Sequence, residues 1–199
     1  MDVVMVHGFF DTGRLFRAMV GRLEDRGHTC HAPTLEPLDG RLGIADLSEK
    51  LAGYIRKNVE ADAPAALVGF SMGALVARHY LQNPGRTRPM RAFFSIAGPH
   101  GGTPTAYFFP GAGTRQMRPG SPFIKELNER SDALRSLRVY TFRTPFDLMV
   151  VPPASTRIPL AREIVVRSLF HSRLPSDPDV IGHILSELGA MESNPQVTA

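Results

Sequence analysis

The chain has 199 residues, 43% of them hydrophobic and 21% charged, with a formal net charge of +4. That length suits one large domain whose core needs neither disulfides nor metals, and the single cysteine, Cys30, excludes an intrachain disulfide. Basic residues are scattered among acids, so charge gives no reason to expect nucleic-acid binding, and no apolar run is long enough for a membrane-spanning helix.

The first element is a continuous apolar run over residues 3–6, as expected of a parallel strand covered on both faces. It ends in the turn His7-Gly8-Phe9-Phe10. The start lacks the basic and long apolar segments of a signal peptide, so a cytoplasmic location is the default expectation; a mature secreted form would look the same. Leu15, Phe16, Met19, Val20 and Leu23 recur at helical spacing up to Gly27, and residues 28–32 read as a weaker strand that buries Cys30. A polar, proline-bearing loop over 33–40 leads to a helix with Ile44, Leu47, Leu51, Ile55 and Val59 on one face. Residues 65–68 form the next strand. A helix follows through Leu75, Val76, His79 and Tyr80 and stops at Asn83-Pro84-Gly85.

Residues 91–97 read as a fourth strand. Glycine and proline then occupy 11 of the 25 positions in 98–122, so regular structure is not expected there, and a stretch of that length in a compact domain is usually functional or disordered. Helical spacing returns over 123–134, with strands at 137–142 and 163–166. Asp177-Pro178 supplies an N-cap and a first-position proline for a last helix buried through Val180, Ile181, Ile184, Leu185 and Leu188. Residues 192–199 read as a frayed tail. Strands separated by helices throughout indicate an α/β fold with a mainly parallel sheet of about six strands.

The element that carries chemistry is Gly69-Phe70-Ser71-Met72-Gly73. As a bare pattern it is common. Here a strand precedes it and a helix follows, the context in which Gly-x-Ser-x-Gly presents a nucleophilic serine. A serine hydroxyl at neutral pH needs a histidine base, and that base needs a carboxylate to fix its tautomer. In open parallel sheets such groups stand beyond the carboxyl ends of strands. Asp147 follows the 137–142 strand and His171 follows the 163–166 strand, in the chain order Ser, Asp, His. His183 competes as the base but lies within the last helix. His28, His31 and His79 read as structural. The tetrahedral intermediate requires two N–H donors, expected from the backbone of Met72 and of Phe9.

Taken together, His7-Gly8-Phe9, Gly69-Phe70-Ser71-Met72-Gly73, Ile96-Ala97-Gly98-Pro99-His100-Gly101-Gly102-Thr103, Asp147-Leu148-Met149-Val150, and His171 followed by Val180-Ile181 resemble the α/β-hydrolase superfamily, and within it the small bacterial lipase and esterase branch. The likeness runs from residue 3 to about 188. It implies a minimal α/β-hydrolase fold lacking the usual first two strands. It also implies a Ser71–His171–Asp147 triad, an oxyanion hole at Phe9 and Met72, and ester hydrolysis through an acyl-enzyme with no cofactor. His100 resembles a structural turn near the rim of such sites. No His-Glu-x-x-His pattern is present, so a metal-dependent hydrolase is disfavoured.

The expected partner is a small-molecule acyl ester. Phe10, Phe146 and Phe170 abut the candidate catalytic loops, and Phe108 and Phe109 lie in the Gly/Pro-rich stretch, where residues 102–122 are expected to form a mobile cap whose aromatic pair lines an acyl pocket. The expected activity is hydrolysis of short-to-medium acyl esters. A thioesterase or amidase could use the same triad. A non-catalytic binding relative is the alternative of another class, and retention of Ser, Asp and His argues against it.

Overall fold

The computed structural model describes residues 1–60, 63–83 and 88–193. Pro84 and Gly85, expected to stop a helix, and most of the tail from 192 lie outside the described residues. Six strands form one all-parallel sheet: β1 (Asp2–Val6), β2 (Thr29–His31), β3 (Ala65–Phe70), β4 (Met90–Ile96), β5 (Arg138–Arg143) and β6 (Arg162–Val165), in the order β2-β1-β3-β4-β5-β6. This is the arrangement that the resemblance to a minimal α/β-hydrolase implies.

Strand alternation divides the core in two. Val4, Val6, Leu67, Phe93 and Val139 face helices α2 (Ile44–Asn58), α3 (Met72–Gln82) and α5 (Pro122–Glu129). Val3, Met5, Ala66, Val68, Phe70, Phe94, Ile96 and Phe142 face α1 (Arg17–Glu24) and α6 (Pro178–Ser193). Both faces are covered, which is why the strands read as unbroken apolar runs rather than alternating ones. The sheet runs outward from β1 to β2, then returns to β3 on the other side of β1. That reversal opens a crevice beyond the carboxyl ends of β1 and β3, where chemistry in such sheets is placed.

Two helix starts are capped, the second as the sequence led one to expect. Ser121 caps α5 by accepting from the Ile124 N–H at 3.2 Å, with Pro122 next. Asp177 likewise accepts from the Asp179 N–H at 3.0 Å, ahead of α6. The expected helix over 123–134 is two pieces, α5 and a 3-10 turn at Ser131–Leu134. Cys30 is half-buried rather than fully buried, and burial pushes its thiol up to about 12, which makes it a poor nucleophile.

The Gly/Pro-rich stretch corrects the expectation of irregular chain. It holds a 3-10 helix at Pro104–Phe108 and a short helix α4 (Ala112–Gln116). The reason is long-range: Thr103 N donates to Met117 O at 2.8 Å, closing the segment on itself, and Thr103 Oγ1 and Thr105 Oγ1 donate to Met149 O at 2.9 and 2.6 Å. Gly102 has φ +84, and a Cβ there would come within 2.6 Å of Pro119, so glycine is required where the segment folds back. Among the described residues, no helix is long and apolar enough to cross a membrane.

Candidate active site

Ser71 lies between β3 and α3 with φ 52 and ψ −122, a backbone conformation that non-glycine residues rarely adopt. Two close approaches impose it. A Cβ on Gly69 would stand 2.5 Å from Ala74 Cα, and one on Gly73 would overlap the carbonyls of Val6 and His7. The elbow thus packs against the end of β1, and Ser71 N donates to Ile96 O at 2.9 Å, fastening it to β4 as well.

The structure brings His171 to Asp147. His171 Nδ1 stands 2.8 Å from Asp147 Oδ2, across loops 24 residues apart in sequence. Asp147 is 4% exposed, and its other oxygen accepts the N–H groups of Met149 (2.8 Å) and Val150 (2.9 Å). Burial alone would raise the Asp147 carboxyl. The His171 hydrogen bond and charge, with the two backbone donors, outweigh it and hold the group below the ordinary carboxylate range. Asp147 is therefore an anion suited to fixing Nδ1–H on His171, leaving Nε2 free to take a proton. Thr144, fully buried, donates to Ser168 O at 2.6 Å and so binds the loop after β5 to the loop after β6.

Ser71 and His171 line the same cavity, of about 400 Å³, with Phe9, Phe70, Phe146 and Phe170. The His171 ring lies against Phe70, 4.8 Å between centroids. A second, narrower cavity of about 50 Å³ starts at the same Ser71 and runs between Phe9, Thr103, Ala106, Phe109, Thr114, Met117 and Val150. His183 stands exposed on α6, its ring 6.3 Å from that of Phe142, and lines neither cavity.

The N–H groups of Phe9 and Met72 donate to no loop or turn carbonyl among the described residues. Met72 opens α3, where the N–H has no intrahelical partner. The turn leading to Phe9 is fastened by His7, which is buried and doubly used: Nδ1 is 2.9 Å from Gly8 O, and Nε2 accepts the Leu35 N–H at 2.9 Å. These partners make His7 an Nδ1–H tautomer, and burial lowers its basicity so that it stays neutral. His100, 1% exposed, is 2.7 Å from Ser95 Oγ through Nε2; burial and the nearby Arg78 guanidinium hold it neutral.

The aromatic expectations divide. Phe146 and Phe170 line the larger cavity and Phe109 the smaller, with its ring 5.2 Å from Phe9. Phe108 does not join it. It ends the 3-10 helix and is 82% exposed, while Phe109 is in extended backbone, where successive side chains point to opposite sides. Phe10 also lies outside both cavities. Its positive φ of 57 turns it toward a neighbouring depression lined by Pro37, Leu38 and Leu42. One residue with no motif of its own, Asp11, does line the larger cavity. No cluster of three or more His, Cys, Asp or Glu that could hold a metal occurs among the described residues.

The profile of the Alpha/beta hydrolase family matches residues 3–191. A pyrethroid hydrolase of Sphingobium wenxiniae is 27% identical over 145 residues, which are 69% of this chain and 49% of that protein; the chain thus spans about half the length of that relative. Among solved structures, a lipase of Bacillus licheniformis superposes with a TM-score of 0.73 at 14% identity, covering 94% of this chain and 91% of that one. A pyrethroid hydrolase of Sphingobium faniae gives 0.61 at 16% identity, covering 98% of each chain, and a methylesterase of Arabidopsis gives 0.65 at 12%, covering 96% of this chain and 99% of that one. The match over nearly the whole chain and the common fold lead to one conclusion: the chain belongs to the alpha/beta hydrolase family.

Proposed function

We propose that the protein is a serine carboxylic ester hydrolase of the esterase or lipase type, with Ser71 as nucleophile, His171 as general base and acid, and Asp147 as the residue that orients His171. The observation that carries the reading is the 2.8 Å His171–Asp147 hydrogen bond on a buried, backbone-held carboxylate, beside a cavity that also holds the elbow serine.

His171 Nε2 takes the Ser71 proton as Oγ bonds to the ester carbonyl carbon. The oxyanion then accepts the N–H groups of Phe9 and Met72, each worth about 3 kcal/mol of transition-state stabilisation. The protonated imidazole gives its proton to the alkoxy oxygen as the C–O bond breaks, and the alcohol leaves. Water repeats the sequence on the acyl-enzyme and releases the acid. The Ser71–His171 hydrogen bond is one that tightens in the Michaelis complex.

Proton delivery assigns the two cavities. The leaving alcohol lies on the His171 side, in the larger one, and the acyl chain enters the narrow apolar cavity under the 102–122 segment. Its small volume, about 50 Å³, fits the short end of the short-to-medium acyl range. The Sphingobium relative, named a pyrethroid hydrolase, and the Arabidopsis structure, named a methylesterase, support the same class.

The test is labelling by a fluorophosphonate probe together with turnover of p-nitrophenyl butyrate. Wild type is expected to label on Ser71 and to hydrolyse the ester, and Ser71→Ala to do neither, with kcat down by about 10⁴-fold or more. Unlabelled wild-type Ser71 defeats the reading.

A further inference from the structure

Asp11 is a second carboxylate at the nucleophile, and the triad does not use it. It lies three residues beyond Gly8, in a turn closed by the Asp11 N–H to Gly8 O at 3.3 Å. A Cβ placed on Gly8 would stand 3.2 Å from Asp11 Oδ2 and 3.2 Å from Ser71 Cβ, so the carboxylate oxygen and Ser71 Cβ are separated by at most twice that distance. Gly8 leaves the space between them open.

The surroundings of this carboxylate are unusual for a half-buried acid. Burial pushes its carboxyl up, and the neighbouring His7 and His171 work against that; among the described residues no hydrogen bond to the carboxylate contributes. It faces the larger cavity, whose remaining lining is apolar except for Ser71, His171 and Ser172: Phe146, Leu148, Leu169 and Phe170 among others. A half-buried carboxylate without a donor among the described residues, in an apolar cavity, favours whatever brings it a cation or a donor and disfavours another anion.

We propose that Asp11 sets the charge preference of the leaving-group side, selecting esters whose alcohol carries a cationic or hydrogen-bond-donating group a few atoms from the ester oxygen and rejecting those with an anionic one. This rests on the ester-hydrolase reading above. Asp11 is a specificity residue in it, not a member of the proton relay. Unit charges about 6 to 8 Å apart at a half-exposed site give preferences of about 5- to 10-fold.

Three butyrate esters matched in size test it at pH 8 and low salt: butyrylcholine (cationic), 3,3-dimethylbutyl butyrate (neutral) and 2-sulfoethyl butyrate (anionic). The wild type is expected to rank them in that order by kcat/KM, with about 5- to 10-fold between neighbours. Asp11→Asn should bring both ratios to within about twofold of one, and Asp11→Glu should keep the order. On the wild type alone, 0.5 M NaCl should shrink both ratios by screening, which needs no variant to fold. Wild-type ratios near one, or ratios that survive Asp11→Asn, overturn the assignment of Asp11 while turnover of p-nitrophenyl butyrate leaves the hydrolase reading standing. Ser71 labelling without turnover of butyrylcholine also overturns it. Absence of both labelling and turnover sinks the hydrolase reading and this inference with it.

Discussion

The two cavities that meet at Ser71 are built in opposite ways. The narrow one is cross-tied: Thr103 and Thr105 hold Met149 O, Thr103 Oγ1 accepts the Val151 N–H at 3.1 Å, Thr114 Oγ1 donates to Phe109 O at 3.0 Å, and Ser155 donates to Gly102 O. The wide one is walled by side chains that stand out in solvent, with Leu148 at 82%, Leu169 at 66% and Phe170 at 61% exposure. Where polar groups lock the backbone, chain length can be measured against a fixed wall. Where loose apolar side chains form the wall, discrimination falls to whichever charged group is nearby.

Beside the cavities stands the Asp147–His171 pair, the carboxylate held also by the Met149 and Val150 N–H groups, and breaking it should have the largest effect. Asp147→Asn keeps the shape of the carboxylate but can present the wrong tautomer of His171, and kcat is expected to fall by about 10⁴-fold in ester hydrolysis. The charge also bears on stability. A carboxyl depressed in the folded state stabilises the fold above its unfolded value, and that contribution is lost as pH falls through the folded value. The stability deficit of Asp147→Asn, read from denaturant melts, should therefore be full at neutral pH and close on acidification below the ordinary carboxylate range; a deficit constant with pH would remove the charge from the account.

The lock on the narrow cavity is the next target. Thr103→Val is nearly isosteric, yet it leaves the Val151 N–H without its acceptor and Met149 O with one donor fewer. A loss of about 1–3 kcal/mol in denaturant melts is expected, along with a lower kcat because Met149 N and Val150 N hold Asp147. An unchanged melt would show that the cross-ties are dispensable. The smallest effect should come from the aromatic wall. Phe109→Ala should shift acyl preference toward longer chains by about tenfold across a p-nitrophenyl ester series, and Phe108→Ala by less than about twofold. Equal shifts from both would abolish the distinction between them.

What could be read from the sequence and what could not follow the range of the interactions involved. The six strands, the elbow and the cap at Asp177 depend on residues within a few positions of one another, so periodicity and turn chemistry reveal them. The order of Ser71, Asp147 and His171 along the chain was legible because parallel sheets bring the ends of strands to one edge. The structure in 98–122 was not, because Thr103 finds its partner at Met149, 46 residues away. Phe108 and Phe109 form a pair in sequence only. Asp11 was also missed, since its approach to Ser71 depends on the path of the turn over Gly8. An acid three residues past a glycine that ends the first strand is the signal that could have pointed to it.

Ser71 is one of three non-glycine residues with positive φ among the described residues, with Phe10 and Ala97. Such a conformation costs about 1–3 kcal/mol and persists because the surrounding packing dictates it. The chain is thus less stable at residue 71 than its sheet and helices would permit, and under the proposed function thermostability and turnover compete for that one position. Ser71→Gly, which needs no strain to turn the same corner, should melt above the wild type while hydrolysing nothing; a lower melting temperature would mean that the hydroxyl itself helps to hold the elbow.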